Sequence, residues 1–154
     1  MHRSYGLFVG IVCLLAVTAA GAEPGIKTEL IGGTLAGIAA KSAARLDYSG
    51  ADEMVFRCTG GEIHVAFHKV NTLEYGQTVS RRYAAAVLVS PLLLLSKARK
   101  HFVTVGYVDS EGRQQVVVFR VEKGDIRPVL AGLEARTGRR VEYQDDEARK
   151  AGKG

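Results

Sequence analysis

Cysteine is scarce in this chain, with two in 154 residues. Cys13 lies inside an apolar stretch near the start, and Cys58 stands alone beyond it. Once that stretch is cut away, no internal disulfide can form, so the fold has to rest on a packed core. Patterns that mark catalysis are missing too. No G-x-S-x-G elbow occurs, and Ser49, Ser80, Ser90, Ser96 and Ser110 sit in no context that marks an activated nucleophile. Gly32-Gly33 and Gly60-Gly61 are bare glycine pairs without a phosphate-loop pattern and read as turns. The acid pairs Asp52-Glu53 and Asp145-Asp146 fall in a turn and a terminal stretch, where solvation suits them better than acid–base work. Charge of one sign is not dominant either. Twenty-one Lys and Arg against 16 Asp and Glu leave a formal charge of +5. Acids are mixed with bases through most of the chain, whereas a nucleic-acid binder gathers its cations on one face. Nucleic acid is therefore not an expected partner.

Residues 1–22 give an address. Arg3 supplies a short positive start, Leu7 to Val17 is almost wholly apolar, and Ala20-Gly21-Ala22 offers small residues for a peptidase. This layout is that of a secretory signal peptide, with cleavage expected between Ala22 and Glu23 and export to the periplasm or beyond. A lipoprotein signal does not fit, because Cys13 follows Val12 within the apolar stretch. An uncleaved membrane anchor is the alternative, since Tyr5 to Ala22 approaches the ~20 residues that cross a bilayer. The remainder suits one domain of ordinary size.

Residues 23–43 are rich in Gly and Ala and read as a flexible lead-in, with a short extended piece around Thr34 to Ile38. The folded domain is expected over residues 44–144. Ala44 to Tyr48 forms a first strand, stopped by Ser49-Gly50-Ala51-Asp52. Glu53 to Cys58 and Glu62 to His68 flank Thr59-Gly60-Gly61 as a hairpin, and the second arm alternates Ile63, Val65 and Phe67 with His64, Ala66 and His68. Val70 to Tyr75 extends again and ends at Gly76. Phe102 to Val108 and Gln114 to Val121 form a second hairpin, whose second arm is apolar on both sides and so belongs inside the sheet. A helix follows over residues 125–138. Asp125 is placed to cap it, Pro128 lies in its first turn, and Ile126, Val129, Leu130 and Leu133 make one apolar stripe before Gly138. Val141 to Tyr143 pairs briefly, and residues 145–154 read as a disordered charged tail.

One segment admits two readings. Ala84 to Leu95 is AAAVLVSPLLLL, without a charge, between Arg81 and Arg82 on one side and Lys97, Arg99, Lys100 and His101 on the other. As a helix it spans about 18 Å, too short for a bilayer core. Pro91 would kink such a helix or hold a strand to an edge. Either the segment completes the core, or it dips into an anionic membrane surface with its flanking cations near the head groups. On the second reading Arg81, Arg82, Val89, Leu93, Leu94, Lys97, Arg99 and Lys100 are the contact residues. Burial of Val87, Leu88, Leu93 and Leu94 would decide for the core.

The remaining candidates for chemistry are weak. His64 and His68 form H-x-x-x-H, a metal pair on a helix. On the strand that the alternation implies, the two rings stand roughly 13 Å apart. One ion with bonds of about 2 Å cannot bridge them. Cys58 faces His64 and His68 across the Gly60-Gly61 turn, but it is in phase with Phe56 and reads inward while the histidines read outward. No metal and no cofactor are expected. An enzyme would need a pocket with converging polar groups such as His64 or Tyr75, and nothing in the sequence supplies one.

The order of hairpin strands followed by one amphipathic helix, from about Ala44 to Gly138, resembles the pleckstrin-homology-like group, in particular its bacterial and GRAM-like members. The Glu53–His68 hairpin, the K-V-N-T-L-E-Y-G run at Lys69–Gly76, the Phe102–Val121 hairpin and the Asp125–Thr137 helix carry the resemblance. It implies a mainly β member of the α+β class: a bent antiparallel sheet or partly closed barrel of about six or seven strands, with one C-terminal helix closing an open end. It also implies a binding or scaffolding module and not an enzyme. Eukaryotic members often carry a tryptophan in that helix, and this chain has none. Members that bind phosphoinositides use basic residues around the first hairpin. Asp47 to Glu53 is acidic here, so that property does not carry over. The expected function is thus a non-catalytic interaction module in the bacterial cell envelope, contacting a protein or envelope ligand. The alternative is peripheral binding to an anionic membrane through residues 84–95.

Overall fold

Apolar residues at every second position build this molecule. In the computed structural model, which describes residues 24–80, 82 and 100–153, the strands are β1 (Ile26–Gly33), β2 (Ser42–Asp47), β3 (Glu53–Cys58), β4 (Gly61–Ala66), β5 (Val70–Gly76), β6 (His101–Val108), β7 (Gln114–Val121) and β8 (Glu142–Tyr143). The helices are α1 (Ile126–Thr137) and α2 (Asp146–Lys153), with a 3₁₀ turn at Phe67–Lys69. All eight strands join one sheet in the order β4-β3-β2-β1-β7-β6-β5-β8. Every pairing is antiparallel except β5 with β8, which is parallel. The mainly β class is as expected. The sheet differs in being mixed and unclosed, with eight strands among the described residues instead of six or seven, and a second helix, α2, follows α1.

The two hairpins fall where alternation places them. β3 and β7 have the expected bounds, and Cys58 pairs with Gly61 across a two-residue turn. The second arm of the first hairpin stops at Ala66, short of His68. The chain tightens there as the Phe67 amide donates to the Asp52 carbonyl at 2.9 Å and the Phe67 ring enters the core. Leu46, Met54, Phe56, Val65, Leu73, Val105, Val117 and Phe119 meet on one side of the sheet, each at most 1% exposed, with the Phe56 and Phe119 rings 5.0 Å apart.

The largest departure is at the N-terminal side. Residues 23–43 do not behave as a flexible lead-in, because β1 runs through the middle of the sheet between β2 and β7. Its glycines suggested a linker, but Gly33 is there for contact. A Cβ at Gly33 would lie 2.9 Å from the Val116 carbonyl oxygen, so close approach to β7 requires its absence. The extended piece expected at Thr34 to Ile38 is a turn region instead, with Leu35 and Ile38 partly packed on the core.

α1 buries the expected stripe of Ile126, Val129, Leu130 and Leu133. Asp125 precedes it, but its side chain makes no capping hydrogen bond. The helix reaches from the β2–β3 turn, where the Tyr48 hydroxyl donates to the Pro128 carbonyl at 3.4 Å, to the start of β5. There the Arg139 Nε donates to the Val70 carbonyl at 3.0 Å. The Arg136 guanidinium lies 4.7 Å from the centre of the Phe67 ring between these points. The helix thus covers that end of the core.

The expected disordered tail over residues 145–154 is α2. Its charges hid a narrow docking face formed by Ala148 and Gly152, one turn apart and both buried. Asp145 Oδ1 accepts the Ala148 amide at 2.7 Å and starts the helix. At Gly152 a Cβ would lie 2.6 Å from the Tyr143 ring and 3.2 Å from Leu130, so the helix sits down only because nothing is there. Gly152→Leu is therefore expected to lift α2 from Tyr143 and lower stability by about 1–3 kcal/mol. The checks are thermal unfolding and amide exchange across residues 146–153, with exposed Lys150→Ala as the control. Unchanged exchange in Gly152→Leu would show that α2 does not depend on this contact.

Candidate binding groove

Register, not motif, creates a cationic groove. β1, β2, β3 and β4 place Lys27 beside Arg45, Arg45 beside Arg57, and Arg57 beside Glu62. All four lie on the side of the sheet away from Leu46 and Phe56, because each alternates with a core-facing neighbour. Three cations therefore stand in one row across three adjacent strands. Like charges placed directly opposite one another destabilise a sheet. The row is held in part by acids at its far end. Arg57 Nη1 contacts Asp47 Oδ2 at 3.1 Å, and Arg57 Nε contacts Glu62 Oε1 at 3.1 Å. These bonds raise the Arg57 guanidinium pKa, Asp47 contributing most. Asp47 is itself held below the usual carboxylate range, chiefly by the Ser49 hydroxyl and amide. Arg45 Nη2 donates to the Gly25 carbonyl at 3.0 Å. Lys27 is exposed and forms no ion pair among the described residues.

The row lines an open groove of about 710 Å³. Thr28 and Cys58, in phase with core-facing neighbours and not with the cations, lie at the rim. Inward burial was expected for Cys58, and the thiol is half-buried, packed against the core with Sγ 3.5 Å from the Phe56 carbonyl oxygen. Burial pushes its pKa up, and Glu62 adds to the shift, which disfavours the thiolate. The groove therefore offers charge and hydrogen bonding to a ligand, not a nucleophile.

The histidines face outward as expected. His64 Nδ1 lies 2.8 Å from Glu53 Oε1 and its Nε2 lies 3.3 Å from Glu62 Oε2, while His68 is exposed beyond the strand. Among the described residues no group of three or more His, Cys, Asp or Glu is arranged to hold a metal ion. Tyr75, the other polar group considered for a pocket, is fully buried on β5, with its hydroxyl 2.6 Å from His101 Nδ1. Burial pushes the Tyr75 pKa up to about 12 and lowers that of His101. His64 and Tyr75 have separate partners and do not converge.

Of the residues assigned to a membrane contact, Arg81, Val89, Leu93, Leu94, Lys97 and Arg99 lie outside the described residues, as do residues 1–22 and the segment 84–95. Arg82 is exposed and lines a hollow with Glu74 and Gln144. Lys100 lines another with Arg120 and Lys123, so the two are not gathered into one site. Lys27, Arg45 and Arg57 went unnoticed in the sequence because a row across strands appears only when register is known. No helix among the described residues is long and apolar enough to cross a membrane. No protein-family model matches the chain, and no curated protein matches it either.

The His64 contacts yield a pH dependence. Hydrogen bonding to Glu53 chiefly, with Glu62 adding to it, raises the folded-state pKa above the ordinary 6.5. The imidazolium thus stabilises the fold below the unfolded pKa, and that contribution is lost as pH rises through the folded one. Exposed pairs of this kind contribute only about 0.2–1 kcal/mol. Thermal unfolding between pH 5.5 and 8.5 is expected to show the stability advantage of the wild type over His64→Gln shrinking with rising pH, while the lowered pKa of His101 acts in the opposite sense in both proteins. A wild-type advantage that does not change with pH would mean that the His64 contacts contribute nothing to the dependence.

Proposed function

We propose that this protein is an exported, non-catalytic binding module of pleckstrin-homology-like architecture, and that it holds an acidic segment of a protein partner in the Lys27–Arg45–Arg57 groove. The observation that carries this reading is the row of three cations placed side by side by the register of β1, β2 and β3, with the exposed Lys27 at its open end. An anion lying along it would relieve the like-charge repulsion that the sheet otherwise bears. The row ends on Asp47 and Glu62. Those carboxylates would repel a densely charged phosphate polymer but tolerate a protein segment of mixed charge, which favours the latter. The four-strand run β4-β3-β2-β1 continued by β7-β6-β5, with α1 directly after β7 covering one end, supports the architectural part of the proposal. Export rests on the layout of residues 1–22, and the bacterial envelope is the compartment proposed with it.

The test is fluorescence anisotropy of a labelled peptide of alternating Glu and Gly against the full chain at low and high salt. Binding that weakens with salt is expected, and the double variant Lys27→Gln/Arg45→Gln should lose about tenfold or more in affinity. The control is Lys123→Gln/Lys150→Gln, which removes two exposed cations elsewhere. No binding at low salt, or equal loss in both double variants, would overturn the proposal. Preferential binding to anionic vesicles over the peptide would overturn the choice of an acidic protein segment.

A further inference from the structure

The sheet has a second apolar face. Ile31, Phe102, Val116 and Val118 point away from the main core and form a separate cluster with Val79. They occupy β1, β7 and β6 side by side, and Thr104 stands beside Val118 in the β6–β7 register. Polar pairs bound the strip. Arg120 meets Glu29 at 2.8 Å towards the His101 end of the hairpin, and Asn71 Nδ2 donates to Gln114 Oε1 at 2.6 Å at the other. An apolar centre with a polar rim is the anatomy of an interface.

This strip is not bare. Val118 is 0% exposed, Ile31 1%, Phe102 4% and Val116 5%. Yet α1 and α2 pack on the opposite side, and Gln144 lies against Glu74, Gly76 and Thr78 and does not belong to the cluster. Val79 is the one described residue outside the strands that joins the cluster. Val79 belongs to the connection between β5 and β6. That connection leaves at Gly76 and returns at His101, and Gly76 is paired with Phe102, so both its ends lie at the edge of the strip. Its middle is the uncharged run from Ala84 to Leu95. As a helix that run is about 18 Å long, and the strip from β1 to β6 is about 10 Å wide.

We propose that residues 84–95 seat on the outer strip formed by Ile31, Val79, Phe102, Val116 and Val118 as a third layer of the domain. This goes beyond the proposed function and does not depend on it. Val89, Leu93 and Leu94 then face the sheet and not lipid, and the basic residues on either side remain at the rim in water. A run tethered at both ends reaches this strip at a smaller entropic cost than a separate chain would.

The test uses the full chain with Cys13→Ser and Cys58→Ser, carrying single reporters Leu88→Cys, Leu93→Cys, Leu14→Cys or Ser110→Cys. Labelling by a soluble maleimide is followed after circular dichroism has shown each variant to be folded. Leu88→Cys and Leu93→Cys are expected to react about tenfold or more slowly than the loop reporter Ser110→Cys. Adding Val118→Ala should speed labelling at 88 and 93 severalfold and leave Ser110→Cys unchanged. Labelling at 88 and 93 as fast as at 110 would overturn the proposal. So would protection that appears only with anionic vesicles, which would make lipid the occupant, or only with rising protein concentration, which would make it a second copy. Sensitivity to Val118→Ala at Leu14→Cys alone would assign the strip to the N-terminal apolar stretch instead.

Discussion

Strand β1 joins what would otherwise be two separate sheets. It takes β2 on one edge through the Ile26↔Leu46 to Leu30↔Ser42 pairs and β7 on the other through Thr28↔Val121 to Gly33↔Val117. Without it, the β4-β3-β2 run and the β7-β6-β5 run would each present unpaired backbone at the point where the core is deepest, an exposure that folded proteins avoid. β1 also sorts the two faces. Leu30 enters the core with Phe56 and Phe119, whereas Ile31 joins Val116 and Val118 on the other side, at an irregularity in the register between Leu30 and Gly32. Ordinary strand alternation sends these neighbours to opposite layers, and the irregularity adds local twist where they divide.

Most of the sheet was legible because its strands obey a local rule. β3, β4, β6 and β7 carry β-branched or aromatic residues at period two and are closed by glycine-bearing turns, so their presence needs no knowledge of partners, although the end of β4 at Ala66 does. The α1 stripe was legible for the same reason at period 3.6. β1 and α2 were hidden because their defining residues are small. Gly33 and Gly152 contribute no apolar side chain, and their value is space that β7 and Tyr143 fill. In a sequence such residues look like a linker and a charged end. The groove was hidden for a different reason. Lys27, Arg45, Arg57 and Glu62 are spread over a range in which no two are sequence neighbours, and only pairing brings them into a row.

Charge and burial divide the outer side of the sheet between them, and β1 is the boundary. Towards β2 and β3 that side carries the Lys27, Arg45 and Arg57 cations. Towards β7 and β6 it carries the apolar strip. Glu29 lies between, two residues from both Lys27 and Ile31, and its carboxylate goes to Arg120 on β7 instead of to the cationic row. The nearest acid on β1 is thus committed to the rim of the strip. Asp47 and Glu62 pair with Arg57 at the far end of the row.

This division bears on how the molecule can make contacts. A face that is apolar and open invites indiscriminate association, while a cationic face is selective by sign and sensitive to salt. With the strip covered by the protein's own connection, as proposed, the outer side would present only its charged half to partners. Specificity would then be set by the spacing of three strands, about 4.8 Å from one cation to the next. Sheet pairing fixes that spacing more firmly than any loop could. A partner would have to match a rigid row with carboxylates of its own while avoiding Asp47 and Glu62 at one end, which confines it to one direction along the groove.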